Sequence, residues 1–232
     1  MSKILFVGGD KGGVGKSVVA RLLAQWYLDR QIPFTAVDAD VSHGSLLRHY
    51  GAYTRAVDLS RLEAADEIMT QALECDRRVV VDLPAQGDRA LAAWISEAGI
   101  LDLARESGIA VIFWHVMDDG RDSIVTLHRL LERHGRNARY VIVENMGRGT
   151  DFSLLDKSPT RALAEELGAV FVSLPELHPP AMRKIDRSDA SFWAAVHNPQ
   201  VAPELFTRMD RQRIKVWIQS AYDQLGRLGE AI

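Results

Sequence analysis

The sequence predicts an α/β fold, a doubly wound and mostly parallel β-sheet flanked by helices, and three observations predict it. A glycine-rich stretch near the start lies between an apolar run and a helical pattern. Short apolar runs then alternate with amphipathic stretches along the whole chain. Several of those runs end in Asp or Asn, at the strand ends where open parallel sheets gather ligands. With 232 residues, 47% hydrophobic and 25% charged, the chain suffices for one sizeable core, and a single domain over 1–232 is the simplest division.

Ile4-Leu5-Phe6-Val7 reads as the first strand. The run Gly8-Gly9-Asp10-Lys11-Gly12-Gly13-Val14-Gly15-Lys16-Ser17 reads as a loop opening a helix over 18–30, with Val19, Leu22, Leu23, Trp26 and Tyr27 at helical spacing. Such a loop wraps a phosphate chain, because glycines let backbone N–H groups approach the oxygens and the helix presents its positive end. Residues Lys11, Gly12, Gly13, Val14, Gly15, Lys16, Ser17 and Val18 are therefore assigned to a nucleotide. Lys16 would reach the β- and γ-phosphates, and the Ser17 hydroxyl would serve a magnesium ion bridging them. The strict motif wants glycine where Asp10 stands. A glycine-rich turn with two solvated lysines is the bland alternative.

Lys-Gly-Gly-Val-Gly-Lys-Ser at 11–17 resembles the deviant Walker A motif of the ParA/MinD family of dimerising ATPases. There position 10 tolerates other residues, and Lys11 matches the signature lysine. The resemblance covers nearly the whole chain in element order, with motif-level matches at 8–17, 38–40 and 82–87. It implies a P-loop NTPase fold, ATP and Mg2+ as ligands, and an ATP-dependent homodimer in which each Lys11 crosses to the partner's phosphates.

Further along, Ile32-Pro33 breaks the first helix and Phe34 to Val37 forms a strand ending in Asp38-Ala39-Asp40. By the resemblance, Asp40 orients or deprotonates the attacking water and Asp38 lies near the magnesium; a plain turn-capping role is the alternative. Catalysis would thus rest on Lys11, Lys16 and Asp40. Asp58 to Asp76 is taken as a surface helix. Val79 to Val81 is a buried strand ending in Asp82, of the form of a Walker B strand, so Asp82 joins Ser17 and Asp38 as a metal residue, with Pro84 to Gly87 as a γ-phosphate-sensing turn. Ala90 to Ser107 is helical in pattern and Ile109 to Trp114 a strand.

His115, Asp118 and Asp119 could be imagined as a metal site, but a turn with a capping aspartate for a helix over 123–133 reads better. Arg129, Arg133, Arg136 and Arg139 make the most basic segment, either a DNA-phosphate surface or a solvated helix face. Tyr140 to Val143 is a strand with Asn145 at its end, where the family's asparagine recognises adenine. Residues 146–159 form a long connection, a helix over 162–167 follows, and Val170 to Leu174 is the last strand. At Pro175-Glu176 family members bring backbone against the base. Helices near 191–196 and over 203–228 close the chain, the last read as packed on the sheet rather than lying on a membrane.

The net charge of −3 announces no global affinity for nucleic acid. The single Cys75 excludes an internal disulfide and a cysteine-only metal cluster, unlike the nitrogenase iron protein and the iron–sulfur scaffold ATPases. No apolar run approaches the ~20 residues needed to cross a bilayer, and the early first strand leaves no room for a cleaved signal, so a cytoplasmic protein, nucleoid-associated if DNA is its surface, is expected. The leading functional reading is a ParA-like Mg-dependent ATPase switch for partitioning or positioning DNA or a related cargo, with non-specific DNA and a stimulating adaptor protein as further partners. Alternatives are a small-molecule ligase on the same scaffold, similar to dethiobiotin synthetase or cobyrinate amidases but which usually lack Lys11, and a MinD-like membrane-associated ATPase.

Overall fold

The computed structural model describes residues 1–9 and 11–232, the side chains at 230 and 231 aside. Asp10, where the sequence departs from the strict loop motif, lies outside the described residues. The strands are β1 (Lys3–Gly8), β2 (Phe34–Asp38), β3 (Thr54–Ala56), β4 (Arg78–Asp82), β5 (Ala110–Met117), β6 (Arg139–Asn145) and β7 (Val170–Leu174). All pair in parallel, in the order β3-β2-β4-β1-β5-β6-β7. The chain leaves β1 toward β2 on one side and later returns to lay β5 on the other. The carboxyl end of β1 is thus a switch point, the position at which a crevice opens in such sheets.

Helices cover both faces: α1 (Lys16–Asp29), α2 (Ser45–Tyr50), α3 (Leu62–Glu74), α4 (Asp88–Glu97), α5 (Ile100–Glu106), α6 (Arg121–His134), α7 (Ser153–Asp156), α8 (Pro159–Glu166), α9 (Pro179–Ser188), α10 (Phe192–His197) and α11 (Arg208–Leu225). Strand side chains alternate between two cores. Leu5 and Val7 join Val80, Ile112 and Trp114 under α1, α2 and α9 to α11. Ile4 and Phe6 join Val79, Val81 and Phe113 under α3 to α8. That double coverage is why the strands read as unbroken apolar runs.

Five differences from the sequence expectation stand out. β3 adds a seventh strand at the sheet edge, three residues long and below what apolar patterning resolves. The single helix over 90–107 is two, because Gly99 sits at φ 61° and turns the chain between α4 and α5. The 146–159 connection contains the short α7. Helix α9, absent from the sequence expectation, begins on Pro179-Pro180, and those prolines occupy the helix start where their missing N–H groups cost nothing. The surface helix starts at Leu62 rather than near Asp58, whose Oδ1 instead accepts from Ser60.

α11 starts at Arg208, where Thr207 and Asp210 cap one another reciprocally, an arrangement worth about 1 kcal/mol. Its Ile214, Trp217, Ala221 and Leu225 are buried in the core, so its apolar face is packed on the sheet. No helix among the described residues is long and apolar enough to cross a membrane.

Candidate functional site

The loop between β1 and α1 supplies the centre of the site. Gly9, Gly13 and Gly15 stand at φ 138°, 81° and 103°, values that side-chain-bearing residues rarely adopt. At Gly15 space is a second constraint: a Cβ there would lie 2.3 Å from Asn145 Nδ2. Lys16, the first residue of α1, folds its side chain back over the loop, with Nζ donating to the carbonyls of Gly9 at 3.0 Å and Lys11 at 3.1 Å. Ser17 and Val18 follow on the first turn of the helix.

Strand register brings the acids to the same edge. Val7 and Asp38 both stand beside Asp82 across β4, and the Ala39 N–H donates to the Asp82 carbonyl at 2.9 Å. The Asp82 side chain is wholly buried, yet neither carboxylate oxygen has a hydrogen-bond partner among the described residues. The Ser17 hydroxyl lies close enough to ease its charge without reaching hydrogen-bond geometry. Burial pushes the Asp82 carboxyl up to about 7; Asp38 adds to the rise, while Ser17, Lys16 and Arg21 offset part of it. A bare, buried carboxylate beside a hydroxyl is a hard-oxygen donor set, and it fits a magnesium ion.

Asp38 is differently placed. Its Oδ1 accepts from the Asp40 N–H at 3.1 Å and its Oδ2 from the Leu47 N–H at 2.9 Å. Burial raises its pKa and those N–H groups pull it back. Asp38 therefore anchors the turn after β2 and the start of α2. Asp40 Oδ1 caps its own turn, accepting from the N–H groups of Ser42 at 3.2 Å and His43 at 3.1 Å.

Asn145, at the end of β6, donates from Nδ2 to the Val14 carbonyl at 2.7 Å and accepts from the Gly147 N–H at 3.1 Å. It thus ties the phosphate loop to β6, and it helps line a cavity of about 320 Å³ whose wall also includes Val18, Pro175, Glu176, Arg183 and Trp217. The Pro175 carbonyl accepts from Trp217 Nε1 at 2.7 Å, which fixes the cavity wall to α11.

Lys11 points elsewhere. Its Nζ pairs with Asp118 Oδ2 at 2.6 Å, and it remains 40% exposed. The hydrogen bond to Asp118 raises the lysine pKa. Asp118 Oδ1 in turn accepts from Ser123 Oγ at 2.6 Å and the Gly120 N–H at 3.1 Å, as a turn-capping aspartate should. His115 and Asp119 do not join it: His115 Nε2 faces the Ser123 carbonyl at 3.3 Å, and Asp119 receives the N–H groups of Thr150 and Asp151.

The basic segment carries less free charge than its sequence suggests. Arg133 pairs with Asp88 and Arg136 with Glu166, while His134 is stacked on Phe113 and held neutral by burial, its pKa near 4.

Sequence reasoning missed Arg21. This buried side chain donates to the Ser17 carbonyl at 3.2 Å and to Asp186 Oδ1 at 2.9 Å, and its Nη1 lies 2.7 Å from His49 Nε2. It links α1, α2 and α9 directly behind the phosphate loop. An arginine four residues after Ser17, on the apolar face of α1, was the signal available.

A parallel sheet with a glycine loop leading into a helix at its switch point defines the P-loop fold class. The fold is similar to that of solved MinD structures, whose family the loop motif resembles. The septum site-determining protein MinD of Pyrococcus horikoshii, solved with Mg-ADP, matches it with a TM-score of 0.52 and 14% identity over 94% of this chain and 95% of its own. Among curated proteins, Protein MobD of Acidithiobacillus ferrooxidans is 28% identical over 180 residues, covering 75% of this chain and 78% of MobD. Protein TraL of Escherichia coli is 22% identical over 244 residues, 97% of this chain and 98% of TraL. No family model matches the sequence.

Proposed function

We propose that this chain is an Mg-dependent ATPase that dimerises on ATP and is reset by hydrolysis, serving to partition or position a cargo. The observation that carries the reading is the bare, buried Asp82 carboxylate beside Ser17 and the Lys16 loop. The loop N–H groups and Lys16 bind the phosphate chain, with Lys16 exchanging its two carbonyl contacts for phosphate oxygens. Ser17 and Asp82 hold magnesium, which when bound neutralises charge on the phosphates. Val18, Pro175 and Asn145 receive the base. Asp40 positions the attacking water and Lys11 stabilises the phosphates of the partner protomer, in line with the family resemblance. Phosphoryl transfer asks little more of a protein than such positioning and electrostatics.

DNA, or an assembly that transfers it, is the cargo the resemblance suggests, though the pairing of Arg133 and Arg136 leaves a smaller basic surface than the sequence promised. The test is the mass in solution of Asp40→Ala, by light scattering, with ADP and then with Mg-ATP. A monomer that becomes a dimer only with Mg-ATP is expected. A mass indifferent to nucleotide overturns the switch.

A further inference from the structure

Away from the nucleotide site, α1, the end of α2, the turn at 51–53 and the start of α10 enclose an open cavity of about 410 Å³. Its rim carries two of the most exposed aromatic side chains of the protein, Tyr53 at 47% and Trp193 at 52%. Both are held in place. Tyr53 stacks on Phe34 at 5.6 Å and Trp193 packs on His197 at 5.6 Å. The backbone beneath them is fixed by Gln25, whose Oε1 accepts from both Tyr50 Oη and the Trp193 N–H at 3.0 Å.

Among the described residues, Asp29 is the only Asp, Glu, Lys or Arg lining the cavity. Its oxygens accept from Gln25 Nε2 at 2.8 Å and Tyr222 Oη at 2.7 Å, which orients the carboxylate while leaving each oxygen a lone pair. His49, also in the lining, is disfavoured from taking a proton by burial and by Arg21. The nearby cations are engaged elsewhere: Arg30 stacks over Trp26 and Tyr222, and Arg48 pairs with Asp189. Two exposed aromatic side chains and one carboxylate thus line the same cavity, while the nearest buried cation, Arg21, is paired with Asp186, a composition suited to receive a positive charge. Rigid exposed aromatics are also the usual anchors of protein interfaces.

The edge of the sheet says how that charge arrives. β3 follows Tyr53 directly and is the outermost strand, paired to β2 on one side only. An extended polypeptide can add to such an edge and send alternate side chains toward the sheet's faces. We propose that the cavity is a docking site for an arginine or lysine side chain presented by an extended segment of a partner protein, clasped by Tyr53, Trp193 and Asp29.

The full-length protein would be titrated with the peptide acetyl-Gly-Val-Arg-Val-Gly-amide, its citrulline counterpart and tetramethylammonium chloride, following tryptophan fluorescence and amide NMR shifts. The arginine peptide should bind saturably and shift the resonances of residues 51–56, with the citrulline peptide at least about fivefold weaker, the loss of one cation–π contact. Asp29→Asn and Trp193→Ala should each weaken the arginine peptide about as much and leave ATP binding unchanged. Equal binding of both peptides, absence of saturation, or indifference to both substitutions would overturn the site. Tetramethylammonium binding as tightly as the peptide, without shifts in 51–56, would overturn the polypeptide partner.

Discussion

Replacing Asp82 by Asn should stabilise the nucleotide-free protein at alkaline pH, although it removes a residue assigned to metal binding. The Asp82 carboxyl is buried with no hydrogen-bond partner among the described residues and its pKa rises to about 7, against about 3.9 in an unfolded chain. Between those values the folded state holds a proton that the unfolded state has released. Stability therefore falls as pH rises through this window and levels off once the folded group has also ionised. Integrating a one-proton difference from about pH 5 to about pH 8 gives a loss of about 2.5 kcal/mol in the parent, or roughly 5–10 °C in melting temperature for a domain of this size.

Asp82→Asn lacks that dependence, while other titrating groups, including Asp38, remain in both proteins and largely cancel in the difference. The assay is urea unfolding at several pH values in EDTA without nucleotide. The expected difference between variant and parent grows in the variant's favour by about 2.5 kcal/mol across the window. Parallel pH profiles would refute the claim that burial of Asp82 is only partly compensated by its surroundings. Adding Mg-ADP should then stabilise the parent more than the variant.

Lys16→Ala should lower ATP affinity at least about a hundredfold by calorimetry, since a charge-assisted phosphate contact is lost; normal affinity would remove Lys16 from the site. Asn145→Ala deletes the 2.7 Å bond to Val14 and should cost about 1–2 kcal/mol of stability while weakening nucleotide binding. Asn145→Asp, which turns an acceptor toward the Val14 carbonyl, should be no better; unchanged melting in both would show that the loop does not depend on this tie. Trp217→Phe keeps the packing but loses the bond to Pro175, and should cost about 1 kcal/mol with a larger effect on base discrimination than on phosphate affinity, measured by comparing ATP with inorganic triphosphate.

Most of the fold was legible because the central strands are buried on both faces and β2, β4 and β6 end in Asp38, Asp82 and Asn145. Val79 to Asp82 is such a case: its unbroken apolar run follows from cores on both sides. What escaped detection was either too short or depended on distant partners. β3 is held by pairing with Ala36 to Asp38 rather than by its own pattern. The double proline at 179–180 signals a break and a helix start equally well. At the site, the loop lysine and Asp82 announce themselves, and a capping aspartate after β5 was legible, but the pairing of Asp118 with Lys11 and the role of Arg21 could not be read. Their partners, Lys11 and Asp186, are 107 and 165 residues away in sequence.

The Lys11–Asp118 pair decides how the two lysines of the loop divide their work. Lys16 is nearly enclosed and held by two carbonyls of its own loop, so in the proposed switch it would serve the phosphates bound in that loop. Lys11 lies partly in solvent, and an ion pair so exposed contributes little, because water screens it and holding two side chains together costs entropy. Such a pair aims the lysine without locking it. A second protomer's phosphate chain, with more charge than one carboxylate, would outcompete Asp118 readily. Asp118→Ala should therefore leave ATP-dependent dimerisation intact, whereas Lys11→Ala should bind ATP and remain monomeric in light scattering. If Asp118→Ala also abolished the dimer, Asp118 would be part of the contact between protomers and not simply the resting place of Lys11.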